Sequence, residues 1–336
     1  MPRRTLTVLA FLLFAFSANA QQAKQRHFIF QYSFTVKNVT PGQRVRVWIP
    51  LAHTDPYQDV SVITQKGDID LKNRHEQEYD NSMLYGEIAK ATKPEYQFTV
   101  DYDVVRHEHV VLTDGKQAGE VRPVKAAQVE LTRFLEPDRL VPVTGLPSQI
   151  AAEQTKGDKT PLEKAHAIYN YVFRTMRYDK SGTGWGHGDT LWACDSKRGN
   201  CTDFHSLFIS MARSQKIPAR FEIGFPIPTD KHNAEIPGYH CWSDFYLDSI
   251  GWVPVDISEA WKHPELHDYF FGAHDVNRVQ FTVGRDLRLS PAQDGPPLNY
   301  FIYPYVEVDG KEYPNVSIAF AFRDADAGAI GVTAAK

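Results

Sequence analysis

The chain has 336 residues, 42% hydrophobic and 23% charged, with a formal net charge of −4. That balance excludes a disordered or fibrous protein, and the length is enough for about two domains, each with its own core. A mildly acidic chain without a Lys/Arg block carries no electrostatic footprint for nucleic acid, so no nucleic-acid partner is expected.

At the N-terminus Arg3 and Arg4 precede an apolar run over residues 6–16, and Ala18 and Ala20 then supply an A-x-A ending. This order is that of a cleaved signal peptide, so residues 1–20 read as a leader. The apolar run is short for a membrane anchor. Cleavage removes two arginines and no acids, moving the net charge from −4 to −6. The expected location is secreted or periplasmic, with no stable membrane insertion after cleavage. Three cysteines remain, Cys194, Cys201 and Cys241. In an exported protein an odd count leaves at least one unpaired within the chain.

Residues 27–112 read as an all-β, sandwich-like module. In "FIFQYSFTV" Phe28, Phe30, Tyr32, Phe34 and Val36 share one face. "YQFTVDYDV" repeats the alternation at Tyr96, Phe98, Val100, Tyr102 and Val104. Period two in aromatic and β-branched residues marks half-buried antiparallel strands. "VRVWI" and "DVSVI" add two more. No catalytic pattern falls in this module.

Residues 113–159 read as a helical connector, carrying "VKAAQVELTRFL" and "SQIAAEQTKG". A helix then starts with Thr160 as N-cap, Pro161 in its first position and Glu163 completing a capping box. Residues 182–188 form a Gly/His/Trp-rich loop long enough to bind something. In "GNCTDFHSLF" the spacing of Phe204, Leu207, Phe208 and Met211 predicts a helix with one buried stripe. Cys201 falls in its first turn, with Asn200 or Thr202 as cap. Strands follow at "ARFEIGF", "YHCWSDFYL", "WVPVDI", "RVQFTV", "NYFIYPYVEV" and "SIAFAF". The segment 326–336 reads as a disordered tail.

A cysteine at a helix N-terminus meets unpaired N–H groups and the positive end of the macrodipole, which favour the thiolate. A nucleophile also needs a base and a group to orient that base. His240 lies on one face of its strand with Trp242 and Asp244, while Cys241 points the other way. Cys241 therefore reads as core filling or a disulfide partner, and a Cys194–Cys241 bond would leave Cys201 free. Asp256 ends the next strand sixteen residues on. The turn "DSIG" centres the hairpin one or two residues too late for direct pairing with His240. A bulge near Pro254 or a slanted contact is required.

"GNCTDFHSLF", "KIPARFEIGF" and "YHCWSDFYLDSIGWVPVDIS" together resemble the core of the transglutaminase-like superfamily, over roughly residues 160–260. The resemblance implies an α+β chain, with a papain-like transglutaminase-core domain over residues 160–325, C-terminal strands included. It also implies a catalytic Cys201, a general base His240 and an orienting Asp256. The backbone N–H of Cys201 is the expected oxyanion donor. Trp185 and Trp192 are near in sequence, but neither matches the tryptophan that proper transglutaminases use as second donor. The residue after the histidine, usually small, is Cys241 here.

The implied reaction is acyl transfer through a thioester on a protein or peptide substrate, most naturally hydrolysis of a peptide or amide bond. A protein-glutamine γ-glutamyltransferase and an inactive binding module are the alternatives. No metal and no other cofactor is expected. Cys201 and His205 at i, i+4, with His187, Asp189, Cys194 and His240 nearby, lack a recognised zinc spacing. His205 reads as packing beside or tuning the nucleophile, and Asp203 as favouring the helix N-terminus. His107, His109, His263, His267 and His274 read as solvated loop residues.

Overall fold

The computed structural model describes residues 24–113, 115–118 and 128–325. The leader assigned to residues 1–20 and the tail 326–336 lie outside the described residues. The two long alternating segments form β1 (Gln25–Val36) and β6 (Tyr96–His107), paired antiparallel with Phe30 opposite Tyr102 and Phe34 opposite Phe98. The expected faces are the buried ones. Phe34 and Phe98 stack at 4.6 Å between ring centroids. "VRVWI" forms β2 (Val45–Pro50), buried along its whole length, and "DVSVI" lies in β3 (Gln58–Gly67), an edge strand beside β6. With β4 (Leu71–His75) and β5 (Ser82–Ile88) these strands build two sheets.

The sheets are completed from the far end of the chain. Strand Val316–Asp324 pairs with β1, and strand Tyr305–Val308 pairs with β2. These C-terminal strands, expected within the unit 160–325, belong by pairing to the N-terminal module. The reason is physical: alternation says that a strand has a buried face, not which distant strand will cover its edge.

A four-stranded antiparallel sheet forms the second layer, ordered Gly251–Val255, His240–Leu247, Ala219–Pro226, Arg278–Val283. Phe30 and Tyr32 of β1 meet Phe225 and Phe281 of this sheet, with Phe30 and Phe225 centroids 5.0 Å apart. One apolar core thus runs through both parts.

Six helices are described: α1 (Gln128–Arg133), α2 (Leu146–Gln154), α3 (Pro161–Thr175), α4 (Thr190–Ser196), α5 (Cys201–Ser214) and α6 (Ile257–Lys262). The capping box at Thr160 forms as expected: Glu163 N donates to Thr160 Oγ1 at 3.2 Å, and Thr160 N donates to Glu163 Oε2 at 2.8 Å. Helix α5 departs from expectation. All of its residues from Cys201 to Arg213 are buried, not one stripe. Its polar residues tolerate this because each is bonded; Arg213, for example, reaches Asp138, Glu136 O and Ala219 O.

Candidate active site

Asn200 caps α5, its Oδ1 accepting Thr202 N–H at 2.9 Å. Asp203 completes the box by accepting Asn200 N–H at 2.9 Å, and also takes the N–H groups of Gly186 (2.7 Å) and Gly188 (3.0 Å). One carboxylate therefore fixes the entry to the cysteine helix and the loop 182–188 together. Gly199 has φ +147°, and a Cβ there would collide with the Asp203 carboxylate, so only glycine fits. Cys201 follows in the first helical position, 2% exposed.

His240 begins the central strand, and Asp256 is the N-cap of α6. The ladder between their strands runs from Ser243–Val255 to Leu247–Gly251, so the two residues meet diagonally beyond its end. His240 Nε2 lies 2.7 Å from Asp256 Oδ2. The slanted contact is formed without a bulge in this pair; the irregularity lies one strand over, at Ile223 and Gly224. A carboxylate only accepts, so Nε2 carries the proton to Asp256 and Nδ1 is left for the thiol. Among the described residues the three expected side chains come together: His240 bonds Asp256, and His240 and Cys201 lie close enough to shift each other's pKa.

Asp256 is saturated. Oδ2 also takes Arg278 Nη1 at 2.9 Å, and Oδ1 takes Ser258 Oγ and Glu259 N, each at 3.1 Å. Burial opposes its charge, but His240 and Arg278 hold its pKa well below the carboxylate range. For His240 burial likewise opposes the cation, and Asp256 overrides it, pushing the pKa up to about 10. Burial works against a Cys201 thiolate, yet contacts from Cys241 and His240 hold its pKa well below that of an ordinary thiol. The arrangement favours a thiolate–imidazolium pair.

His205, expected to pack beside or tune the nucleophile, joins two helix starts. Its Nδ1 lies 2.8 Å from Cys201 O and its Nε2 3.0 Å from Ile257 N. A carbonyl only accepts and an N–H only donates, so the ring is the neutral Nδ1–H tautomer. Both nitrogens are thereby used within the protein, and Asp189 caps α4. The zinc alternative loses two of its donors.

Other expectations are corrected. All three cysteines are free, and Cys241 lies against Cys201 and Thr202 rather than bonded to Cys194. His109 and His274 are buried, facing each other across paired strands, because the β module covers that edge of the catalytic sheet. Trp185 Nε1 donates to Gly182 O at 3.2 Å.

Tyr178 was missed. It pairs in parallel with Gly199, and Lys262 Nζ sits 4.2 Å from its ring centre. Burial, with the neighbouring Cys201, raises its pKa. Its hydroxyl has no hydrogen-bond partner among the described residues. Arg278 was missed too, since "RVQFTV" reads from the sequence only as a strand. Its polar face is buried at Arg278 (2% exposed), Gln280 and Thr282.

An antiparallel sheet packed on a central helix that opens at a cysteine has counterparts among known proteins. Residues 148–257, which include Cys201, His240 and Asp256, match the family described as the transglutaminase-like superfamily. The chain thus carries a transglutaminase-like core beside a β-rich module. An uncharacterized protein of Haemophilus influenzae is 28% identical over 316 residues, covering 83% of this chain and 84% of its own. A candidate cysteine protease from Cytophaga hutchinsonii has a solved structure with TM-score 0.58 at 14% identity, over 90% of this chain and 92% of that one. At that identity the likeness is one of fold. The periplasmic domain of TgpA from Pseudomonas aeruginosa, bound to ethylmercury, covers 74% of this chain and 94% of its own at 14% identity and TM-score 0.39. Among the described residues no helix is long and apolar enough to cross a membrane.

Proposed function

We propose that this protein is an exported thiol acyl-transfer enzyme that hydrolyses peptide or amide bonds in a protein or peptide substrate. Cys201 attacks the carbonyl carbon, and His240 gives its proton to the leaving amine. A thioester on Cys201 remains, which His240, now the base, opens with water. Asp256 orients His240 and stabilises its cation. The observation that carries this reading is the buried His240–Asp256 bond of 2.7 Å placed beside a cysteine in the first turn of a helix.

The oxyanion meets the backbone N–H of Cys201, and the unpartnered hydroxyl of Tyr178 is the second donor. What supports this reading is the pairing of Tyr178 with Gly199, two residues before the nucleophile. Export rests on the order of charged, apolar and small residues over positions 1–20.

The test is acylation. Protein lacking residues 1–20 is mixed with p-nitrophenyl acetate, quenched and mapped by mass spectrometry, with and without a fluorescent primary amine. An acetyl group on Cys201 that is discharged by water, and is absent from Cys201→Ala, is the expected result. Discharge mainly to the amine favours a transferase. No acyl-Cys201 at any time contradicts an enzyme.

A further inference from the structure

Cys241 is the residue the proposed chemistry leaves unexplained. It follows His240 but points to the other face of the strand, toward α5. Its Sγ is 3.6 Å from Thr202 Oγ1, on the residue next to Cys201, and the two cysteines lie close enough to shift each other's ionisation. Both cysteines are almost wholly buried, Cys241 at 0% and Cys201 at 2% exposure. No bulky thiol can reach Cys241, so an oxidised Cys201 is the partner within its range. Cys194 lies apart from this pair, on α4.

A thiolate is the form of cysteine that reacts with peroxides, and an adjacent thiol decides whether the product is rescued or lost. We propose that Cys241 is the resolving thiol of Cys201, forming an intramolecular Cys201–Cys241 disulfide after a small hydroperoxide has oxidised the nucleophile. The inference rests on the reading of Cys201 as an activated thiolate. In the first step the Cys201 sulfur takes one peroxide oxygen and the O–O bond breaks. Cys201 becomes a sulfenic acid, and the peroxide leaves as water or an alcohol. In the second step Cys241 loses its proton and its sulfur attacks the Cys201 sulfur. The S–O bond breaks, and hydroxide leaves with that proton as water. Two electrons have passed from the two sulfurs to the peroxide.

The sulfurs must still approach to the ~2.05 Å of a disulfide. Cys241 sits in a strand paired on both sides, to Ala219–Pro226 and to Gly251–Val255. The approach therefore falls to the Cys201 side chain, which can turn about χ1 while its capped backbone stays in place. The disulfide would silence the nucleophile and shield it from sulfinic and sulfonic acid, until a dithiol restores it.

The test treats protein lacking residues 1–20 with hydrogen peroxide and reads intact mass, cross-linked peptides and iodoacetamide labelling of Cys201. The expected result is a loss of about 2 Da, a Cys201–Cys241 linked peptide, and labelling that falls at least about tenfold and returns with dithiothreitol. Cys194→Ala should behave the same. Cys241→Ser should gain about 32 or 48 Da at Cys201, with labelling that dithiothreitol does not restore. Should that variant not fold, the linked peptide of the unmodified protein decides alone. Wild-type protein that gains oxygen at Cys201 without a linked peptide overturns the inference and leaves the thiolate reading intact. A Cys201 inert to both peroxide and iodoacetamide overturns both.

Discussion

Arg278 and His240 donate to the same oxygen of Asp256, at 2.9 and 2.7 Å. The carboxylate is thus held by a second cation that plays no part in proton transfer. Arg278 also reaches Asp275 at 3.4 Å and lies over Trp242, 4.8 Å from its ring centre. It ties Asp256 to the strand Arg278–Val283, which packs against the β module.

Arg278→Gln leaves a buried carboxylate short of its strongest fixed partner. Breaking one side of a buried ion pair costs about 3–5 kcal/mol. Urea unfolding should show a loss of that order, and acylation of Cys201 should fall by at least about tenfold in the protein that remains folded. Arg278→Lys should recover part of the stability but less of the rate, because a point charge does not hold the same geometry. Unchanged stability in Arg278→Gln would count against a structural role for the pair.

Asp203 accepts three backbone N–H groups and binds two segments that are far apart in their roles. Asp203→Ala leaves buried donors at Gly186, Gly188 and Asn200. The expected loss is about 2–3 kcal/mol, given ~1–3 kcal/mol per unsatisfied buried group and partial rescue by water. Limited proteolysis should find a new cut within residues 182–188. Burial raises the pKa of Asp203, so its proton is held more tightly in the folded loop than in the unfolded chain, and acidification through that range should not by itself loosen the loop. A loop equally resistant in wild type and variant would refute the clamp.

Tyr178→Phe separates two kinds of reaction at one sulfur. Alkylation by iodoacetamide builds no oxyanion, whereas acylation does. The variant should label at the wild-type rate and acylate about 10²-fold more slowly, the loss typical of one oxyanion donor. Equal loss in both reactions would mean that Tyr178 supports the thiolate instead.

Much of this site was readable in the residues. The alternation in β1 and β6, the Thr160 box and the helix opening at Cys201 are local signals, and local physics set them. The pairing of strands 305–308 and 316–324 with β2 and β1 was not readable, because edges separated by more than two hundred residues carry no mark of each other. Arg278 and the histidines 109 and 274 were hidden for the same reason: a polar face looks solvated until another layer covers it. His205 stood in view four residues after Cys201, but its partner, Ile257 N–H, is a backbone group, and no side-chain motif signals it. Tyr178 lies outside the quoted motifs, and no local pattern marks it.

The central claim is that Cys201 is a thiolate paired with the His240 imidazolium. The depressed pKa of Cys201 places its thiolate well below the ~8.5 of a free thiol, and His240 keeps its proton up to about 10. The two steps belong to the pair as a whole. The most direct measurement is the rate of iodoacetamide labelling of Cys201 against pH, in wild type and in His240→Ala. An activated pair gives a labelling rate that is already high at neutral and mildly acidic pH and nearly flat through pH 8. His240→Ala then returns the profile to that of an ordinary or raised thiol. A wild-type rate that climbs about tenfold per pH unit through 8, unchanged by loss of His240, would contradict it.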